Sequence, residues 1–597
     1  MRNRDMGILQ KFASSKYKFI VFLLVLPAIL GAIYVKIFGV NVVFWDQWEL
    51  VPLIEKLYSG NLTFDQLFAQ HNEHRLFFPR IIMLILAHIT RYNTITEMYL
   101  SWIITLLTLV LIFVMYKQNF GIFESSLLKF IPISWLIFNF RQFENMLWGW
   151  QNQIYLCVFG FVFSIYLLEK SEKIDCKFLL AIFGGILSSF SFVNGLLVWP
   201  TGFLFIILSK TKNKNYLGTA WALVGIAVLC TYLYKWVKPS HHPSILYIIE
   251  QPINSIEYLI VNIGSPLGFE HSTAFGMGIF ILFEIIMVSI LLLKNGLLKE
   301  NAKWLSFIFF SLASSLTITV GRAGFGVEQA LSSRYVTFTL LGIVGLYLVV
   351  VGLYNKFETK NQKYAVLYGM VLSVIFVGII IGYSRGVIAG EEISESRKNM
   401  ACYLIGYNWT SDEFLKNLYP HPDIVKKRAK ILERHKLNVF SFKDEVYMLY
   451  DLKPIKILSQ QHFITGAGKI NDEIKFIIHE HPLPSDKALI EFENIPIPKN
   501  ATLRFSIALD PQVWSPDKGD GVLFEIYIKE NESKQQIFSK YIDPKNNPEE
   551  RKWNDSEVDL SNYADKNVTI IFSTSSGPNN NSNYDWAWWG NPVIVTV

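Results

Sequence analysis

Cysteine is scarce, with four residues (Cys157, Cys176, Cys230 and Cys402) in a chain of 597. They lie far apart, and no CxxC or CxxH spacing joins them. Neither a disulfide framework nor a thiolate zinc site is supported. Charge is also thin, at 17% of residues against 51% apolar, and mean hydropathy is positive. That balance excludes a cytosolic enzyme and a disordered chain. No glycine-rich phosphate loop is present, so no sugar-nucleotide site is read. No internal repeat is clear. The length is too great for one ordinary domain.

The charge that is present is uneven. From Ser384 onward about a quarter of the residues are charged, normal for a soluble domain, against about an eighth before it. The first part therefore reads as a polytopic α-helical membrane domain over 1–383. Apolar stretches long enough to span fall near 18–38, 97–116, 128–140, 152–168, 178–193, 196–209, 217–234, 274–293, 304–320, 335–354 and 364–383. The first is flanked by Arg2, Arg4, Lys11, Lys16 and Lys18 and lacks a small-residue cleavage site, so it reads as an anchor.

Segment 76–90 is ambiguous, with a short apolar core and Pro79, Arg80 and His88 inside it. Loop charge decides between the two topologies. If 76–90 does not cross, fourteen lysines fall on the side of the basic N-terminus: Lys117, Lys129, Lys170, Lys173, Lys177, Lys210, Lys212, Lys214, Lys294, Lys299, Lys303, Lys356, Lys360 and Lys363. If it crosses, all fourteen move outside, against the positive-inside rule. The expectation is eleven spans with the N-terminus cytoplasmic. An outer loop covers 41–96, in which 76–90 lies along the interface as an amphipathic helix. The positive excess in short loops is a topology signal rather than a nucleic-acid footprint.

The inner loops are otherwise featureless, and the outer ones carry the polar residues. FWDQWELVP holds Trp45, Asp46, Trp48 and Glu49; QHNEHRLFFPR holds His71, Glu73, His74, Arg75 and Arg80. FRQFENMLWGWQNQ holds Arg141, Glu144, Asn145, Trp148 and Trp150, and SFVNGLLVWP holds Asn194. GRAGFGVEQALSSRY holds Arg322, Glu328, Arg334 and Tyr335. Carboxylates, guanidiniums and tryptophans at one membrane depth suit a sugar phosphate. Tryptophan faces stack on sugar rings, arginine forks bind phosphate, and a carboxylate takes a proton from an attacking hydroxyl. Structural readings stand beside these. Asp46 can cap a helix, Arg80 can snorkel to headgroups, Arg141 and Glu144 can pair, and the tryptophans can form an interfacial belt. His71, Glu73 and His74 show no further metal ligand in the sequence.

A span, an acidic residue opening a long outer loop, interfacial helices and then many spans resemble the GT-C superfamily of membrane glycosyltransferases. Trp45 to Arg91 carries most of the likeness, with HRLFFPRIIMLILAHITRYN similar to the interfacial helix of that family; Ser333-Arg334-Tyr335 is similar to a motif of polytopic polysaccharide enzymes. The resemblance covers roughly 18–383. It implies a polyprenyl-phosphate sugar donor, a glycan or glycolipid acceptor, and inverting transfer with Asp46 as general base, in a bacterial cytoplasmic membrane. Glu49, Glu73 and Glu144 are further catalytic candidates. Arg75, Arg80, Arg141, Asn145, Asn194, Arg322, Arg334 and Tyr335 are candidates for binding the substrate or lipid phosphate. Trp45, Trp48, Trp148 and Trp150 would stack on sugar. Many members carry paired acids where this chain has Trp45-Asp46-Gln47, so no metal or other cofactor is implied.

The remainder divides into a helical, charged spacer over 384–455 and a β domain over 456–597. Short strands are predicted at 474–479, 487–493, 501–508, 521–528, 535–541, 555–560, 567–573 and 591–597, the texture of a sandwich or jelly roll. GDGVLFEIYI and NYDWAWWGNPVIV resemble galactose-binding-like jelly rolls of the carbohydrate-binding-module type. On that likeness Trp588 is a stacking candidate, although aromatic clusters of this kind are as often core. Period two puts Trp586 and Trp588 on one face and Trp589 on the other. Asp510, Asp517 and Asp520 read as turn carboxylates more readily than as a calcium site. Two rival functions stand beside a transferase: a transporter or flippase of lipid-linked glycans, and a non-catalytic glycan-binding membrane protein.

Overall fold

A computed structural model describes residues 15–240, 242–357, 362–408, 410–441, 446–448, 454, 456–459, 464–484, 486–531 and 533–596. Arg2, Arg4, Lys11, Lys360 and Val597 lie outside the described residues, as do the last residues of the helical stretch read up to Leu452. The chain forms two compact units. The first is Met1–Gly39, Lys56–Thr90 and Thr94–Ser394; the second is Val40–Glu55, Arg91–Asn93 and Glu395–Val597.

The first unit is helical, and each of the eleven apolar stretches contains a helix. Among the described residues eight helices are long and apolar enough to cross a membrane, including Ser15–Phe38, Thr94–Phe120, Lys214–Leu233, His271–Lys294 and Ser333–Phe357. Phe77–Thr90, Cys176–Ser189 and Val193–Leu208 are apolar but shorter, and Glu124–Ile137 has 14 residues with Pro132 inside. Ser333–Phe357 runs through the middle of the unit, almost every side chain buried. Thr94–Phe120 instead leaves Ile103, Leu107 and Val110 exposed along one stripe, the pattern of a helix with one face turned to an apolar solvent. Small residues let elements approach closely. A Cβ on Gly264 would lie 1.9 Å from the Ala274 carbonyl, and one on Gly278 2.0 Å from that of Ile260.

The connections gather at two ends. At one, Lys129 bonds Asn355 (2.5 Å), Lys170 bonds Gln118 (2.6 Å), and Lys303 bonds both Asn119 (2.7 Å) and Glu169 (2.8 Å). Lys210 and Lys356 share Glu300, and Lys16 pairs with Glu124 at 3.0 Å. The other end holds residues 68–77, 139–151, 190–197, 234–240, 242–270 and 322–335, joined by bonds such as Val193 to His74, Arg141 to Ser265 and Leu331, and Arg322 to His242.

In the second unit, Asn438 joins three stretches of chain. Its side chain accepts from the Val43 amide (3.2 Å) and donates to Asn41 (2.7 Å) and the Tyr92 carbonyl (3.0 Å); its own amide donates to the Arg91 carbonyl (2.8 Å). It is buried at φ +56°, a conformation asparagine tolerates better than most residues. The helix Pro422–Arg434 buries Val425, Ala429, Ile431 and Leu432.

Beyond it stand two antiparallel sheets. One runs Ser533–Ile542, Val522–Glu530, Asn567–Ser576, Ala488–Pro496, Lys456–Leu458; the other runs Asn554–Asp559, Ala501–Leu509, Ala587–Thr596, Glu473–His479, Ile464–Ile470, with Val446–Met448 also paired to Ala587–Thr596. Their inner faces meet in one core that includes Phe476, Phe492, Phe505, Phe524, Phe572 and Trp589. All eight predicted strands are present. Trp588 and Trp589 point to opposite faces as alternation requires, Trp589 into the core between the sheets and Trp588 against Trp553 and Ile477. Trp586 does not share a face with Trp588. The strand begins at Ala587 and the Trp586 carbonyl accepts from the Asp510 amide (3.0 Å), so the period does not extend back to it and Trp586 packs with the inter-sheet core.

Candidate functional site

The stretch QHNEHR forms a two-residue-per-side hairpin, Gln70–His71 against His74–Arg75, with Asn72 at φ +47° in the turn. Asparagine at that φ suits a tight hairpin turn. Gln70 exchanges bonds with Val237, donating to its carbonyl (2.6 Å) and accepting from its amide (3.0 Å). Arg75 donates to the carbonyls of Tyr232 (2.6 Å), Phe68 (3.1 Å) and Tyr234 and lies over the Phe68 ring. Arg80 donates to the carbonyls of Leu67 (3.1 Å) and Ala69 at the C-terminal end of the helix Phe64–Phe68, where a cation suits the helix dipole. Both guanidiniums are buried and bonded to main chain.

The hairpin presents Glu73. Tyr232 Oη (2.9 Å) and Trp236 Nε1 (3.3 Å) donate to its carbonyl. Its carboxylate pairs with Arg322 and faces His74 Nε2 and His242 Nδ1, each at 3.5 Å. The bonds assign the ring protons. His74 Nδ1 accepts from the Val193 amide (3.3 Å), leaving Nε2–H toward Glu73. His242 Nε2 lies 3.1 Å from Arg322, so it accepts there and its Nδ1–H faces Glu73. Burial alone would raise the Glu73 carboxyl, but the facing His74 N–H, the Arg322 guanidinium, its own backbone amide and the His242 N–H outweigh it and hold it below the usual glutamate range. Glu73 is therefore an anion at any physiological pH: a hydrogen-bond acceptor and counter-ion, not an acid.

A second cluster lies on the same loops. Glu144 accepts from Ser333 Oγ (2.9 Å) and Ser332 Oγ (3.3 Å), with Arg334 Nε at 3.6 Å. Both charged side chains remain more than a third or close to a third exposed (39% and 33%), so this pair is open to a ligand. Asn145 donates to the Arg334 carbonyl (3.0 Å) and Thr337 Oγ1 (2.8 Å). Arg141 is buried over the Phe269 ring and donates to the carbonyls of Ser265 (3.0 Å) and Leu331 (2.7 Å). Burial pulls its guanidinium down to about 10, Glu144 opposing, so it stays charged at neutral pH. Tyr258 links the clusters. Its hydroxyl donates to Gln329, which in turn donates to Tyr335 Oη (2.6 Å). Burial raises the Tyr258 phenol and so does Tyr335, while Arg322 and Arg334 both pull it down.

Trp148 and Trp150 are buried rather than presented as open faces, with Trp150 edge-on to His71 at 5.3 Å. Trp150 Nε1, both polar atoms of Asn152, Gln153 Oε1 and the hydroxyls of Ser314 and Ser315 are buried with no hydrogen-bond partner among the described residues. Asn194 donates to the Ser314 carbonyl at 3.4 Å. Buried polar groups are normally satisfied, so these are groups with hydrogen-bonding capacity in reserve.

Trp45, Asp46, Trp48 and Glu49 belong to the second unit, on the short 3₁₀ helix Trp45–Leu50. Trp45 has φ +47°, a bulky residue in the left-handed region. Its amide donates to the Leu418 carbonyl (2.8 Å), and its ring is 43% exposed. Asp46 sits in the first turn, where the helix N-terminus favours an anion. Trp48 is fully buried. Glu49 takes a forked pair from Arg428 (2.7 and 3.3 Å) and a bond from Tyr419 Oη (3.0 Å). Trp588 is buried within the second unit.

Among the described residues no group of three or more His, Cys, Asp or Glu side chains is arranged to hold a metal ion. Around Glu73 the place a cation would take is occupied by Arg322. Asp510 caps the Gln512 amide (2.9 Å) and Asp517 accepts from Ser515. Sequence reasoning missed His242, Tyr258, Gln329, Arg428 and Tyr419. His242 and Tyr258 lie in the connection after Leu233, where HHP and NSIEY carry no spacing that marks chemistry.

Fold and site together define a class: a helical unit with membrane-length apolar helices and charged clusters on its connections, and a C-terminal antiparallel β-sandwich. The chain belongs to the same family as an uncharacterised protein of Archaeoglobus fulgidus, to which it is 39% identical over 359 residues, 58% of this chain and 90% of that protein. No family model matches it.

Proposed function

We propose that the protein is an integral membrane glycosyltransferase that moves a sugar from a polyprenyl-phosphate donor to a glycan or glycolipid acceptor outside the cytoplasm. The observation that carries this reading is a pair of charged clusters on the loops of the helical unit, Glu73 with Arg322 and Glu144 with Arg334, each built from stretches far apart in sequence. Carboxylates and guanidiniums held together beside unsatisfied polar atoms suit a sugar phosphate. On an eleven-span topology with the lysine-bearing end cytoplasmic, these clusters would lie at the outer interface.

Transfer at the anomeric carbon breaks the bond from C1 to the phosphate oxygen and forms one to the acceptor oxygen on the opposite face, with inversion. The acceptor proton goes to a carboxylate. Resemblance to GT-C enzymes assigns that role to Asp46. The departing lipid phosphate carries the growing negative charge, which suits the part-exposed Arg334. Glu73, already compensated by Arg322, holds the loops in place. The β-sandwich fits an acceptor-binding module whose tethering raises the local glycan concentration.

The test is transfer from a labelled polyprenyl-phosphate sugar by purified Asp46→Asn and Arg334→Gln variants that elute from gel filtration as the natural protein does. Asp46→Asn should lower kcat about a hundredfold or more, and Arg334→Gln should weaken the donor's effect on rate. Full activity of Asp46→Asn removes the base assignment.

A further inference from the structure

The lysine-bearing end of the helical unit holds a cavity of about 480 Å³, a size typical of small-molecule sites. Its lining includes Glu169, Lys210, Lys299, Glu300, Lys303 and Lys356. The charges are not equally available. Lys303 is almost fully buried, its ammonium committed to Glu169 Oε1 (2.8 Å), Asn119 Oδ1 (2.7 Å) and the Met115 carbonyl (3.3 Å). Lys210 and Lys356 share one carboxylate, Glu300, at 3.3 and 3.1 Å. The bond from Lys356 is the chief reason the Glu300 carboxyl sits below its usual range. One anion between two ammonium groups leaves a net positive charge, and Lys299 adds another with no ion pair among the described residues. Glu169 Oε2 is buried with no hydrogen-bond partner among the described residues. Glu172 also lines the cavity and pairs with Lys212 at 3.7 Å, so the four lining lysines against three glutamates leave an excess of positive charge, beside the idle Glu169 oxygen, an acceptor only.

We infer that this cavity binds a small hydroxyl-bearing phosphate ester, its phosphate on Lys299, Lys210 and Lys356 and a hydroxyl donating to Glu169. Phosphate alone would leave the Glu169 oxygen idle, and an uncharged polyol would leave the lysines uncompensated. The ligand class joins both features. The chemistry is shared by soluble sugar or glycerol phosphates and by the headgroup of an anionic phospholipid. On the topology proposed above the cavity opens to the cytoplasm, away from the outer loop clusters, so it is a second site independent of sugar transfer.

The experiment is calorimetric titration of the full-length protein in neutral detergent with glycerol 3-phosphate, inorganic phosphate and glycerol. Glycerol 3-phosphate should bind saturably, inorganic phosphate more weakly, and glycerol not at all. Lys299→Gln and Lys356→Gln should each weaken glycerol 3-phosphate about tenfold, the scale of one charge-assisted hydrogen bond, and should flatten the dependence on salt. Glu169→Gln should narrow the gap between glycerol 3-phosphate and inorganic phosphate. Repeating the titration in phosphatidylcholine nanodiscs with and without phosphatidylglycerol separates the sources: abolition of binding by the anionic lipid assigns the headgroup, and unchanged binding assigns the soluble ester. Absence of saturable binding by any phosphate probe up to about 10 mM, a free energy weaker than about 3 kcal/mol, in both detergent and anionic nanodiscs overturns the site. So does binding that both lysine variants leave intact.

Discussion

Glu73 and Arg322 are each about one-fifth exposed, and each compensates a charge that the other would otherwise bury. Removing one partner strands the other in a poor solvent. Glu73→Gln and Arg322→Gln are therefore expected to destabilise the protein singly by more than the double variant does per site. A double-mutant cycle read by denaturation in detergent should give a coupling of about 1–3 kcal/mol; additivity would contradict the pairing. Glu480 is the opposite case, fully buried, with Oε2 accepting from Trp589 Nε1 (2.7 Å) and Oε1 without a partner among the described residues. Burial pushes its carboxyl up to about 8. The folded state then binds a proton that the unfolded state releases near the ordinary glutamate value of about 4.3. Between those two pKa values this group lowers stability as pH rises, by up to about 1.4 kcal/mol per pH unit. Glu480→Gln should thus melt above the natural protein at pH 8 and close to it at pH 5, measured by Trp fluorescence. Equal differences at both pH values would show that the carboxyl titrates normally.

Asn438 is the position on which the non-sandwich part of the second unit most depends. Asn438→Ala removes three side-chain bonds and places alanine at positive φ, an expected loss of about 2–4 kcal/mol. Asn438→Gly should recover only the backbone part, and equal melting of all three proteins would refute the role. Elements of this kind differ in how far the sequence announces them. The apolar runs and the alternating strands are legible because their periods are set by helix and strand geometry. Ile464–Ile470 was not, since ITGAGKI carries two glycines where a strand normally carries branched residues. The structure supplies the reason at Gly468, where a Cβ would lie 2.9 Å from the Trp588 ring. The hairpin holding Glu73 was legible as a polar motif, but its partners His242 and Tyr258 were not. Their role comes from which loops meet, and that is a property of helix packing rather than of local sequence. The same holds for Cys402 and Ile405, which pack with the sandwich core although they fall in a stretch that reads as a spacer.

At the scale of the whole molecule, the proposed topology predicts sided labelling. In a background with the four native cysteines replaced, Lys212→Cys should resist an impermeant thiol reagent in intact cells and Lys566→Cys should react. The reverse pattern would invert the orientation and move the Glu73 and Glu144 clusters to the cytoplasmic side. The most direct measurement is chemical. The purified full-length protein, given a short-chain polyprenyl-phosphate sugar and an extract of extracytoplasmic glycans, should release polyprenyl phosphate in step with the appearance of a glycoside of inverted anomeric configuration, and Asp46→Asn should suppress both. No release of polyprenyl phosphate from any such donor, together with movement of a lipid-linked glycan across protein-containing vesicles, would contradict the transferase reading and identify a transporter instead.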